Sequence, residues 1–98
     1  MKRVIWSHIL PLDDYVDIDM KIGAKVLSIG IQNMQICVWA LVDPEAETAQ
    51  YRFRIVGTGH PMADEVGQLD FIGTVMTLDD ALAFHVFGMG ISSGKETE

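Results

Sequence analysis

The residues best equipped for chemistry stand together in one stretch, Arg52-Phe53-Arg54-Ile55-Val56-Gly57-Thr58-Gly59-His60-Pro61. An alternating strand with two arginines runs into a loop of two glycines, a threonine, a histidine and a proline. Glycine turns present backbone N–H groups, and with a hydroxyl and a guanidinium these are the donors that hold phosphate. Flat aromatic side chains hold a base by stacking, and Trp39, Tyr51 and Phe87 are available for that. The candidate ligand-binding residues are therefore Trp39, Arg54, Thr58, Gly59, His60 and His85. A plainer reading competes with this one. The glycines then make a tight turn, His60-Pro61 stiffens its exit, and Arg54 pairs with an acid. No helix follows the loop, so it is neither a dinucleotide fingerprint nor a P-loop.

Other chemistry is weakly signalled. Ser7, Ser28, Cys37 and Thr58 are the available nucleophiles, and none sits in a nucleophile-elbow spacing. Cys37 lies in an apolar run, where a thiol is ordinarily buried and inert. His8, His60 and His85 lack metal-ligand spacing, and a lone cysteine makes no Cys-x-x-Cys clamp. The Asp17/Asp19 pair has no third oxygen ligand at calcium-loop spacing. We expect no enzyme, no catalytic residue, no metal and no cofactor.

The elements that would position these residues are short strands. Arg3 to Leu10 is apolar and stops at Pro11, with Trp6 as a core or interface anchor. Tyr15 to Met20 alternates, with Val16, Ile18 and Met20 on one face and Tyr15, Asp17 and Asp19 on the other. Val26 to Ile31 places Leu27, Ile29 and Ile31 together, and Gln32 to Gln35 reads as a hairpin turn. Ile36 to Val42 is apolar throughout, as expected of a central strand covered on both faces. Asp43 to Gln50 reads as a polar connection. Tyr51 to Val56 puts Tyr51, Phe53 and Ile55 opposite Arg52, Arg54 and Val56. Met62 to Gln68 reads as irregular. Leu69 to Leu78 returns to strand character, with Gly73 marking a bulge or a close backbone approach. Asp79-Asp80 turns into a last strand, Ala81 to Phe87. The pattern predicts an all-β fold, a small antiparallel sandwich or barrel of about seven strands. It predicts one β domain over residues 1–88 and a flexible polar tail over 89–98. The strand carrying Arg54 is expected to neighbour those carrying Trp39 and His85, making the loop one edge of a composite pocket.

Composition narrows the function classes. The chain has 98 residues and a formal charge of −7, with no basic residue between Arg54 and Lys95. It cannot build a large basic face, so direct nucleic-acid binding is not expected. The hydrophobic share of 49% leaves apolar surface to spare and favours a homo-oligomer. One cysteine allows no internal disulfide and fits a cytoplasmic setting. No apolar run is long enough for a membrane helix.

The runs Cys37 to Ala46, Arg52 to Pro61, Phe71 to Met76 and Ala81 to Phe87 together resemble a family of short phage and prophage proteins of unknown function. Within them stand the motifs Trp-Ala-Leu-Val-Asp-Pro at Trp39 to Pro44, Gly-Thr-Gly-His-Pro at Gly57 to Pro61 and Phe-His-Val-Phe at Phe84 to Phe87. The resemblance covers most of the chain, from about Lys2 to Gly88. It implies a phage accessory protein acting in the host cytoplasm, and such small acidic proteins commonly counter host defence. Sequestration of a small nucleotide immune signal, without cleavage, is the expected function. The alternatives are an acidic inhibitor that binds a defence protein as a nucleic-acid mimic, and a structural or virion-associated β module.

Overall fold

The computed structural model describes residues 2–62, 69–77 and 81–93. Its strands are β1 (Val4–Leu10), β2 (Tyr15–Lys21), β3 (Lys25–Gln32), β4 (Gln35–Val42), β5 (Thr48–Gly57), β6 (Asp70–Thr77) and β7 (Leu82–Ser93). All pairings are antiparallel. Three strands form sheet A in the order β1-β4-β3, and four form sheet B in the order β2-β5-β7-β6. The expected all-β architecture is therefore realised as a two-sheet sandwich, with no helix among the described residues.

Period-two alternation explains the layers. Ile36, Val38, Ala40 and Val42 of β4 are buried against Val16 and Met20 of β2, Phe53 and Ile55 of β5, Val75 of β6 and Val86 of β7. β4 is the centre of sheet A, and its core-facing residues are at most 4% exposed. Hairpin β3–β4 closes on Asn33 and Met34, both at positive φ (52° and 65°), as a two-residue primed turn requires. Gly73 meets both of its expectations. The β6–β7 register shifts between Phe71 and Gly73, and a Cβ at Gly73 would lie 2.7 Å from Ile29 Cγ2 of the facing sheet.

Three expectations are corrected. Val26, not Leu27, packs with Ile29 against the core, because the β3–β4 register slips between Val26 and Ser28 and turns Leu27 outward to 46% exposure. β5 begins at Thr48, inside the expected polar connection, where Ala49 is buried opposite Met20. β7 continues to Ser93, so residues 89–93 are strand and not tail. A register shift against β5 and a positive φ of 82° at Gly90 keep β7 paired beyond Gly88. The irregular stretch over 63–68, the Asp79-Asp80 turn and the tail over 94–98 lie outside the described residues. Among the described residues no helix is long and apolar enough to cross a membrane.

Candidate functional site

Pairing registers place the candidate residues. Tyr15 lies opposite Arg54, Arg54 opposite Phe87, and Val56 opposite His85, which in turn lies opposite Thr74. Tyr15, Arg54, His85 and Thr74 therefore share the outer face of sheet B, away from the core. The Gly57–Pro61 loop leaves β5 at one end of that face. Its turn is fixed by two backbone bonds: His60 N–H donates to Gly57 O (3.1 Å) and Thr58 N–H to Ala83 O of β7 (3.2 Å). Gly59, at φ 87°, holds the turn position that a side chain resists. Gly57 serves differently: a Cβ there would lie 3.2 Å from His60 Nδ1, so its absence lets the imidazole fold back over the strand end.

Arg54 is only 8% exposed and is committed to the fold. Its Nη1 donates to Ile55 O (2.9 Å) and Asp14 O (3.3 Å) and lies 3.6 Å from Asp14 Oδ1. Its guanidinium carbon stands 4.9 Å above the Tyr15 ring, within cation–π range. Asp14 O also accepts Ile55 N–H (3.0 Å). The arginine thus straps the β1–β2 connection to β5, and its pairing with an acid follows the plainer sequence reading. Beside it lies a cleft of about 250 Å³ lined by Asp14, Arg54, Val56, Gly57, His60 and Pro61.

His85 is held between two hydroxyls. Its Nε2 is 2.6 Å from Thr58 Oγ1, and its Nδ1 is 2.8 Å from Thr74 Oγ1. A neutral imidazole offers one N–H donor and one bare nitrogen. One threonine therefore accepts from the ring, and the other donates to it. Whichever tautomer is populated, the accepting threonine keeps its own hydroxyl proton for a ligand. The order threonine–histidine–third group resembles a nucleophile and its base. Thr74 is a neutral hydroxyl, however, and gives the charge support of a carboxylate to no imidazolium. The arrangement is better suited to presenting hydrogen bonds than to activating a nucleophile.

Trp39 is not part of this site. Its strand, β4, belongs to sheet A, and Trp39 lies between the core-facing Val38 and Ala40, on the outer face of that sheet. Its ring covers Gly30, where a Cβ would lie 3.3 Å from it. β5 neighbours β7 but not β4, so one protomer brings together Arg54, Thr58, Gly59, His60 and His85 on one side and leaves Trp39 on the other. The sequence reading missed Asp14, Tyr15 and Thr74. Thr74 carried a usable signal, standing in phase with Met76 on a strand face next to Gly73.

The rest of the outer face of sheet B is also cross-linked. Arg52 Nε and Nη2 donate to the two Asp17 carboxylate oxygens (2.9 and 3.0 Å), and Ser92 Oγ donates to Asp17 Oδ1 (3.0 Å). The Arg52 bond, chiefly, holds the Asp17 carboxyl below its ordinary value of 3.8. Gln50 Nε2 donates to Asp19 Oδ1 (3.3 Å). Both aspartates of the acidic pair thus have protein partners. Phe71 and Phe87, with ring centroids 5.4 Å apart, add an apolar patch.

Neither curated proteins nor solved structures gave a match to this chain. A family model described as a domain of unknown function, DUF7352, matches residues 1–95. By that match over nearly its whole length, the chain belongs to the DUF7352 family.

Proposed function

We propose that the protein is a non-catalytic binding module that captures a small nucleotide at the Gly57–Pro61 end of sheet B. The observation that carries this reading is the Thr58–His85 hydrogen bond at the foot of the preformed Gly57–Pro61 loop, whose His60 lines a cleft of about 250 Å³ beside Arg54. That volume is below the roughly 300–1,000 Å³ of ordinary ligand pockets, so the cleft takes one end of a nucleotide and leaves the rest along the sheet face. Thr58 and His85 supply hydrogen bonds, and the Phe71–Phe87 patch supplies a surface for a base. Arg54 shapes the cleft and leaves anion contact to the loop. The resemblance to phage and prophage proteins makes a nucleotide signal of host defence the class of ligand, held intact in the host cytoplasm.

The test is calorimetric titration with a panel of linear and cyclic nucleotides. One member binds with submicromolar affinity, is recovered unchanged after denaturation, and binds at least tenfold more weakly to Thr58→Val. A panel without binding overturns the reading, and recovery of a cleaved nucleotide overturns its non-catalytic part. A second reading draws on the formal charge of −7 and the exposed Asp13, Asp14, Asp17 and Asp19. On it the protein blocks the basic groove of a defence protein directly, and a salt-sensitive complex with such a protein would be found in place of nucleotide binding.

A further inference from the structure

The two sheets do not meet evenly along β3 and β6. They close at Gly73, where a Cβ would lie 2.7 Å from Ile29 Cγ2 of the facing sheet. Toward the first residues of both strands they part, and a cleft of about 410 Å³ runs in between them. Val26 of sheet A and Tyr51, Phe53 and Ile72 of sheet B wall it, with Asp70 and Phe71, both exposed, at its mouth. The volume lies within the roughly 300–1,000 Å³ of ordinary ligand pockets.

Protein interiors ordinarily fill to the density of organic crystals, so a space of this size needs a cause. Here irregularities on three strands supply it. β3 inserts Leu27 between Val26 and Ser28, and β6 inserts Ile72 between Phe71 and Gly73. β7 sets Met89 and Gly90 opposite Arg52 alone. Leu27, Ile72 and Gly90 all line the same cleft. Bulges re-aim side chains and gather beside functional sites. Where β7 crosses the floor it carries glycine. A Cβ at Gly90 would meet nothing within 4 Å, and one at Gly88 would meet Ile72 Cδ1 only at 3.4 Å.

We propose that this cleft binds a small organic cation, an amine with an apolar body. The charges around it choose the sign. Asp70 lies opposite Gly88, and Gly88 opposite the buried Phe53, so the register puts Asp70 on the inner face of sheet B, at the entrance. Its carboxylate has no hydrogen bond or ion pair among the described residues. The other charged residue lining the cleft is Arg52, whose guanidinium is held by both carboxylate oxygens of Asp17. An anion entering the cleft therefore finds no uncommitted cation, whereas an ammonium finds Asp70 in a chain of formal charge −7. The Tyr51 hydroxyl is committed to Gly23 N–H and Lys21 O, which leaves its ring as apolar wall. The hydrocarbon of the ligand lies between Val26 and the rings of Tyr51 and Phe53, and its nitrogen stays at the mouth. The site does not rest on the nucleotide reading, because Thr58 and His85 serve the outer face of sheet B.

Calorimetry and amide NMR on the full chain test it, with octylamine, octanol and octanoate as probes of equal length at neutral pH and low salt. Octylamine, an alkylammonium at that pH, binds about fivefold more tightly than octanol, and octanoate binds more weakly than either. Octylamine shifts the amides of Val26, Ile72, Gly88 and Gly90. Asp70→Asn brings octylamine down to the level of octanol and leaves octanol unchanged. Gly88→Leu fills the cleft and binds none of the three. Should Gly88→Leu lose its β-sheet circular dichroism, Asp70→Asn and the probe series decide. Absence of octylamine binding, or shifts confined to the Gly57–Pro61 loop, overturns the cleft as a site. Octanol or octanoate binding as tightly as octylamine overturns the choice of a cation, and so does a preference for octylamine that survives Asp70→Asn.

Discussion

The two outer faces of this sandwich are built on opposite plans. Sheet B is finished from within: Arg54 straps a loop, Arg52 and Ser92 hold Asp17, and two threonines hold His85. Sheet A presents Ile5, Ile9, Trp39 and Leu41 on its outer face and, at one edge, a strand β1 that contains no aspartate, glutamate, lysine, arginine, proline or glycine. Polar groups on a sheet face impose directions, and a set of directions is what a small polar ligand can read. An apolar face with a free edge is read by shape and backbone pairing, which suits another protein surface. The proposal of ligand recognition at sheet B rests on this difference.

Variants can break that contrast, beginning with the strap. Arg54→Met leaves the carbonyls of Asp14 and Ile55 short of a donor and lowers the unfolding free energy by about 2–3 kcal/mol. Thermal denaturation should show it as a fall of the order of 10 °C. A loss below about 0.5 kcal/mol would mean that the strap is decorative and that Arg54 is free for a ligand after all. Next comes Tyr51, whose hydroxyl accepts from Gly23 N–H and donates to Lys21 O, both at 3.2 Å, and so ties the β2–β3 turn to sheet B. Tyr51→Phe costs about 1 kcal/mol by chemical denaturation.

The β3–β4 turn of sheet A is not tied in this way, and it carries Met34 at positive φ with 86% exposure. Met34→Gly removes the left-handed strain and raises stability by up to about 1 kcal/mol. A loss would place Met34 in a contact that holds the hairpin. The smallest effect concerns acid. Because Arg52 lowers the Asp17 carboxyl below 3.8, its contribution is fully present above that pH and fades as pH falls through the lower folded value. Asp17→Asn therefore narrows the stability gap between neutral and strongly acid solution, read from urea midpoints at the two pH values. An unchanged gap would make the Asp17–Arg52 pair inert.

Much of this architecture was legible because a strand has a period of two. Alternation alone set Val16, Ile18 and Met20 against Asp17 and Asp19, and Phe53 and Ile55 against Arg52 and Arg54. Where the chain slips by one residue, alternation misleads, as with Leu27 and Val26. β7 ran on past Gly88 because a positive-φ glycine and a register shift sustain pairing in a stretch whose composition reads as tail. The site was half legible. Arg54 and His85 share one face because β5 and β7 are hydrogen-bonded neighbours, and the loop that follows β5 brings Thr58 to His85. Trp39 fell elsewhere because strand order is set by which sheet each crossing joins, and no local pattern around Trp39 encodes that. Nor did composition reveal that Arg54 would be spent on backbone carbonyls.

The division of labour between the faces is most directly tested by amide NMR during titration with whichever nucleotide binds. The account predicts shifts concentrated at Gly57 to His60, Thr74 and His85, with β1 and the strand around Trp39 unmoved. Shifts centred on Trp39 and β1, with the Gly57–His60 loop silent, would contradict it.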